Sequence, residues 1–366
     1  MKRIHITVAA CVLAAVVLAG GVLAAGGVSG DPVISLSYLN GTFLSQLLGQ
    51  TQSKVDTGLN ETYQNALDQL GQSGAGSSAS MERRAKSGDQ FTLSIGSVLV
   101  PLAGQLQLTS GVAVDATSGT ELTGPASLTA NHQYIVSERG SAVFTISSDT
   151  AVLSTEGSVT LTASSTPDYN AMADALKSLG LFQGSGVSIG SGYELENTPT
   201  RIQGLIMFLR LIGEEQAALS STASHPFRDV PTWCDRYVAY AYDKGYTNGV
   251  NLPAGLFGPD DTMTAPQYVT LLLRALGYSD SAAVPDFNWA TSVAFGQNLG
   301  LFTEGEYDRL MNGTFYRAQV VYVSYYALSF PLKEESTTLL DRLISSGVTT
   351  QTDAQQALAA VSTSRL

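Results

Sequence analysis

The side chains best suited to chemistry in this chain are two arginines. Arg201 and Arg317 each stand just ahead of apolar residues at helical spacing, and each has a glutamine two positions on, Gln203 and Gln319. Ala265, followed by Gln267, holds the matching place between them. A guanidinium is permanently charged, planar and forked, so an arginine repeated at one address suits a carboxylate gripped by two parallel hydrogen bonds. An arginine beside a helix start is ordinarily a solvated charge; the repetition is what singles these two out. Trp233 and Trp289 also recur at matching places, where an indole serves equally as core filling or as an apolar platform for a ligand ring.

Other chemistries find less to work with. His5 lies in the leader, His225 in a connecting stretch, and His132 stands alone at a strand edge beside Tyr134 and Glu138. No spaced set of His, Cys or carboxylates suggests zinc, and neither a Gly-x-Ser-x-Gly elbow nor a phosphate loop is present. Asp260-Asp261 reads as a turn in preference to a calcium site. No cofactor or metal is expected. A glycosidase needs only two carboxylates, so hydrolysis stays open as an alternative.

The arginines must be positioned by helices. In 225–278, Asp229-Val230-Pro231 offers a helix start with a carboxylate cap, Trp233, Tyr237, Val238, Ala241 and Tyr242 follow at helical spacing, and Gly245 ends the helix. Turn formers crowd 248–261. Thr264 then caps a second helix with Pro266 in its first turn and Val269, Leu272, Leu273 and Leu276 as its buried stripe, ended by Gly277. The plan recurs on both sides: Tyr169 precedes Gly180, and Trp289 precedes Gly300, by eleven residues, against twelve from Trp233 to Gly245. Gly213, Gly277 and Ser329 each follow the aligned Arg201, Ala265 and Arg317 by twelve. A period of about 55–65 residues seen three times marks a repeat array.

The three copies, 168–219, 225–278 and 285–330, resemble surface-layer homology (SLH) repeats. The middle copy carries most of that family's pattern in Asp229-Val230-Pro231, Trp233, Phe257-Gly258-Pro259-Asp260 and Leu272-Leu273-Arg274-Ala275-Leu276-Gly277; the outer copies keep Thr200-Arg201-Ile202-Gln203 and Tyr316-Arg317-Ala318-Gln319. The resemblance implies an all-α, pseudo-threefold module that holds a secreted protein to the bacterial cell wall by binding an anionic, pyruvylated secondary wall polysaccharide between lobes. It also implies that the motif arginine is the main ligand contact. Carried over, it makes Arg201 and Arg317 the principal ligand residues, with Thr200, Gln203, Gln319, Trp233, Trp289 and Asp229 around them, and leaves the groove of Ala265 altered or inactive. Arg210 and Arg274, nine residues into their helices, are expected to be structural.

Around this array the chain reads as multidomain α+β. Lys2-Arg3 and the apolar run from Ile6 to Ala25 predict a secretory signal peptide over 1–25, with a retained anchor as the other reading. Without it Cys234 is the only cysteine, so no internal disulfide forms. The net charge is −12, and −14 once Lys2 and Arg3 are lost, which opposes nucleic acid and gives no basic membrane patch. Residues 31–72 predict an amphipathic helical segment that needs a partner surface, either this chain or a second copy, and 73–87 a flexible linker. Over 88–165 the period changes to two, predicting seven to nine short strands in a small antiparallel β-sandwich or roll. Residues 331–366 predict a closing helix pair, with Leu339, Leu340, Leu343 and Ile344 in one and Ala357, Leu358 and Val361 in the other. The reading is therefore a secreted, non-catalytic wall-attached protein; a wall-remodelling hydrolase, or a degenerate repeat scaffold that binds protein instead of sugar, are the alternatives.

Overall fold

Alternation of apolar and small polar residues produces strands from residue 81 onward, and the switch to helical spacing after residue 168 produces helices. The computed structural model describes residues 80–186, 189–363 and 365–366. The expected leader, the segment 31–72 and linker residues 73–79 lie outside the described residues.

The β part has eleven strands: β1 (Met81–Lys86), β2 (Gln90–Leu93), β3 (Val98–Ala103), β4 (Leu106–Ser110), β5 (Val112–Asp115), β6 (Thr120–Thr123), β7 (Ala126–Ser127), β8 (Tyr134–Val136), β9 (Ala142–Ile146), β10 (Thr150–Glu156) and β11 (Val159–Thr162). They form two antiparallel sheets, ordered β1-β10-β3-β8-β5-β6 and β11-β2-β9-β4-β7. Phe91 and Leu108 both pair with Phe144 across β2, β9 and β4, and these side chains meet Leu99, Tyr134 and Leu153 of the other sheet in one core. Strand β1 lies in the stretch expected as linker. Its charged residues are ordered by pairing with β10 and by partners on the helices: the Arg84 guanidinium donates to both Asp174 oxygens at 3.0 and 2.7 Å, and the Glu82 carboxylate accepts from the Gly190 N–H at 2.9 Å.

The helical part contains α1 (Tyr169–Ser178), α2 (Arg201–Leu211), α3 (Glu215–Ser220), α4 (Asp235–Asp243), α5 (Ala265–Ala275), α6 (Ser292–Asn298), α7 (Glu304–Asn312), α8 (Arg317–Ala327), α9 (Leu339–Ser345) and α10 (Gln351–Ala359). The helices α2, α5 and α8 are the second helices of the three repeats; each is eleven residues long and begins at the aligned Arg201, Ala265 or Arg317. In each, the glutamine at the third helical position turns its Oε1 back to accept the N–H of the residue before the helix, Thr200, Thr264 or Tyr316, at 3.1, 3.0 and 2.9 Å. That bond from the glutamine back to the helix start explains why the glutamine recurs at this spacing.

Packing between repeats is cyclic. Helix α4 of the second repeat lies on α2 of the first, α6 of the third on α5 of the second, and α1 of the first on α8 of the third. The last contact closes the array, since it joins the ends of the repeated stretch. At its interior the Tyr268 and Ser324 hydroxyls are bonded at 2.8 Å with both residues buried. The β part and the helices belong to one compact unit. The connection between them is strapped down, with the Ser164 and Thr166 hydroxyls both donating to the Ser87 carbonyl at 2.6 Å.

Candidate functional site: the Arg201 cavity

Helix α2 begins with N–H groups that have no partner inside the helix. The turn-rich loop of the second repeat supplies them. Arg201 N–H donates to Asp261 O at 2.7 Å and Ile202 N–H to Pro259 O at 3.1 Å, while Met263 N–H donates back to Pro199 O at 2.9 Å. The same device serves α8, where Arg317 and Ala318 donate to Asn197 O and Leu195 O at 2.8 and 3.0 Å. The Pro259-Asp260-Asp261 turn is thus a strap between repeats. Asp229 makes the strap rigid: its two carboxylate oxygens accept from Phe257 N–H and Gly258 N–H, both at 2.8 Å. Burial alone would raise the Asp229 pKa, but those two donors hold it below the usual carboxylate range. Asp229 does not cap a helix as its sequence position predicts. A 3₁₀ turn, Thr232–Cys234, intervenes before α4.

Beside the strap lies a cavity of about 350 Å³ lined by all three repeats: Arg201 from the first, Asn248, Gln267 and Arg274 from the second, and Asp280 and Trp289 at the entry to the third. Arg274 is fully engaged. Its Nε and one terminal nitrogen grip Asp280 at 2.8 and 2.7 Å, and the other terminal nitrogen donates to Tyr246 O. Arg201 is not engaged. Its Nε is buried without a hydrogen-bond partner, and its guanidinium bonds to no other described residue. Burial lowers the Arg201 pKa, opposed by the charge of Asp261, yet an arginine stays protonated at any ordinary pH. The cavity therefore holds a cation whose Nε lacks an acceptor, which an entering anion would supply.

Arg317 has the same address and a different environment. It is only 5% exposed, and its Nε donates to the Tyr193 carbonyl at 2.9 Å. Burial lowers its pKa. Gln319 is buried too, its amide donating to Asp149 of the β part at 2.7 Å, whereas Gln203 is exposed. Thr200 is half-buried, and its hydroxyl accepts from Gln203 N–H in the α2 cap. Trp233 and Trp289 are both exposed, 64% and 54%, on the 3₁₀ turns that lead into α4 and α6. Only Trp289 lines the cavity. Arg201 and Trp289 are brought together; Arg317, Gln319 and Trp233 are elsewhere.

Asn248, Gln267, Thr270 and Arg274 join the cavity lining although their sequence positions mark them only as turn, cap or helix residues. The one available signal was that Gln267 shares its repeat position with Gln203 and Gln319.

Comparison with protein-family models and with curated proteins gives no match. The geometry thus stands on its own residues. Among the described residues, no group of three or more His, Cys, Asp or Glu side chains is placed to hold a metal, and no helix is long and apolar enough to cross a membrane. His132 is not alone as its sequence context predicts: its Nδ1 is 2.8 Å from Asp115 Oδ2, and its ring stacks near Tyr134.

Proposed function

We propose that the helical array attaches this protein to an acidic cell-wall polysaccharide, with a carboxylate substituent of the sugar held by Arg201 and the sugar ring resting on Trp289. The observation that carries this reading is the Arg201 guanidinium, its Nε buried without a hydrogen-bond partner, beside an open cavity that also presents an exposed indole. A pyruvyl ketal offers a planar carboxylate, matched to the forked donors of a guanidinium. The SLH-like pattern and the cyclic packing of three repeats favour the same reading. The chain's charge of −12 opposes an anionic polymer at long range, but screening at physiological salt shortens that repulsion to about 8 Å, so the local arginine decides. In this reading the protein is secreted and non-catalytic, and the β part is carried at the surface as a fixed companion of the array.

The test is co-sedimentation of the purified protein with cell walls before and after chemical removal of pyruvyl groups. Retention on intact walls and loss on stripped walls supports the reading; equal retention on both would point to a scaffold that recognises something else. Release of reducing sugar or muropeptides would instead favour a hydrolase.

A further inference from the structure

The Arg201 cavity draws an arginine from repeat one, a glutamine from repeat two and an aromatic from repeat three: Arg201, Gln267 and Trp289. Advanced by two repeats, these positions become Arg317, Gln203 and Trp233. Advanced by one, they become Ala265, Gln319 and Tyr169. The last junction lacks the repeat arginine, yet it holds a cation from another source. Arg309, on α7, donates to Asp149 Oδ2, and Gln319 Nε2 donates to the same oxygen at 2.7 Å. Asp149 is not part of the helical array; it sits in the turn between β9 and β10. The Tyr169 hydroxyl is close enough to this group that, after burial, the Asp149 charge is the next largest influence raising its pKa. A cavity of about 460 Å³, lined by Asp149, Arg309, Tyr316 and Asn197, opens beside the contact, so space for a ligand adjoins the occupied position.

We propose that Arg309 and Gln319 form a second carboxylate site whose resident ligand is the chain's own Asp149, so that the β part plugs this junction as an acidic sugar substituent would. A charged donor and an amide donor converging on one carboxylate oxygen are what an external carboxylate would need. An outside carboxylate enters only by displacing the β9–β10 turn, and its entry loosens the β part from the helices. The carboxylate chemistry rests on Asp149, Arg309 and Gln319 alone; only the suggestion that the competitor is a sugar acid rests on the reading of the Arg201 cavity.

The experiment is rescue of a vacated site by a small carboxylate. Asp149→Ala removes the resident group and leaves room for acetate, whereas Asp149→Asn removes the charge but keeps the volume. Thermal melting is followed in sodium acetate and in sodium chloride of equal ionic strength. The expected result is that Asp149→Ala melts lower than the unsubstituted protein, that acetate raises its Tm saturably while chloride does not, and that Asp149→Asn gains nothing from acetate. Adding Arg309→Gln to Asp149→Ala should abolish the rescue. Equal effects of acetate and chloride, or rescue that survives Arg309→Gln, would overturn the proposal. Should Asp149→Ala not fold, Asp149→Ser gives the same comparison with a smaller loss. Wall binding by the unsubstituted protein alongside absent acetate rescue would sink this site and leave the Arg201 reading standing; the reverse pattern would do the opposite.

Discussion

Arg201 and Arg317 occupy the first position of equivalent eleven-residue helices, yet the Arg317 Nε donates to the Tyr193 carbonyl at 2.9 Å while the Arg201 Nε is buried without any partner. One arginine is structural and the other is unsatisfied. The difference between them predicts how function and stability separate.

Arg317→Ala should destabilise the protein by about 2–4 kcal/mol, because it removes a buried charge-assisted bond and opens a void. Arg201→Ala should cost less than about 1 kcal/mol or be neutral, because its Nε was already without an acceptor. Denaturant titration of the two variants decides between them. Equal losses would contradict the contrast in their environments.

Asp229 ties the strap of the second repeat through Phe257 and Gly258. Asp229→Ala leaves two backbone donors unpaired and should cost about 2–3 kcal/mol. Its folded pKa is depressed, so its contribution to stability is complete above the unfolded value near 3.9 and is lost as pH falls below it. Urea midpoints measured at pH 7 and at pH 3 should therefore differ less in the variant than in the unsubstituted protein.

In the β part, burial pushes the Asp115 carboxyl up, but its bond to His132 and donors from Ser118 and Thr117 bring it down to about 2. Stability from this group is complete above about pH 4 and disappears as pH falls toward 2. Asp115→Asn should flatten that acid limb in a pH series of thermal melts, and an unchanged slope would show that the carboxylate does not hold the Thr117–Ser118 turn.

Much of the helical array was legible because its signals are local. A glutamine at the third position, an N-cap and a helix-ending glycine fix where α2 and α5 start and stop, and Gly213 and Gly277 take the left-handed conformation, φ +74° and +96°, that such ends require. The fate of Arg317 was not legible, because Tyr193 covers it from 124 residues away. Likewise the charged run Glu82-Arg83-Arg84 reads as linker until the helices supply Asp174 and Gly190 as partners. Strand β10 carries no period-two signal for another reason: five of its seven residues are buried.

Gly249 forms part of the cavity wall at φ +69°, and a Cβ there would lie 2.4 Å from Leu256 O and 2.5 Å from Phe227 Cε1. Gly249→Ala should cost upwards of about 1 kcal/mol and distort the wall, lowering affinity for any occupant. A binding titration at a temperature well below the variant's Tm would read the second effect apart from the first.

The chain contains two tryptophans, and only Trp289 lines the Arg201 cavity. Their indole N–H signals, followed by NMR during titration with a pyruvylated wall-polysaccharide fragment, therefore report occupancy of that cavity directly. The expected result is a saturable shift of the Trp289 signal, a still Trp233 signal, and loss of the shift in Arg201→Gln. A shift confined to Trp233, or a Trp289 shift that persists without the arginine, would contradict the assignment of Arg201 as the group that holds the acidic sugar.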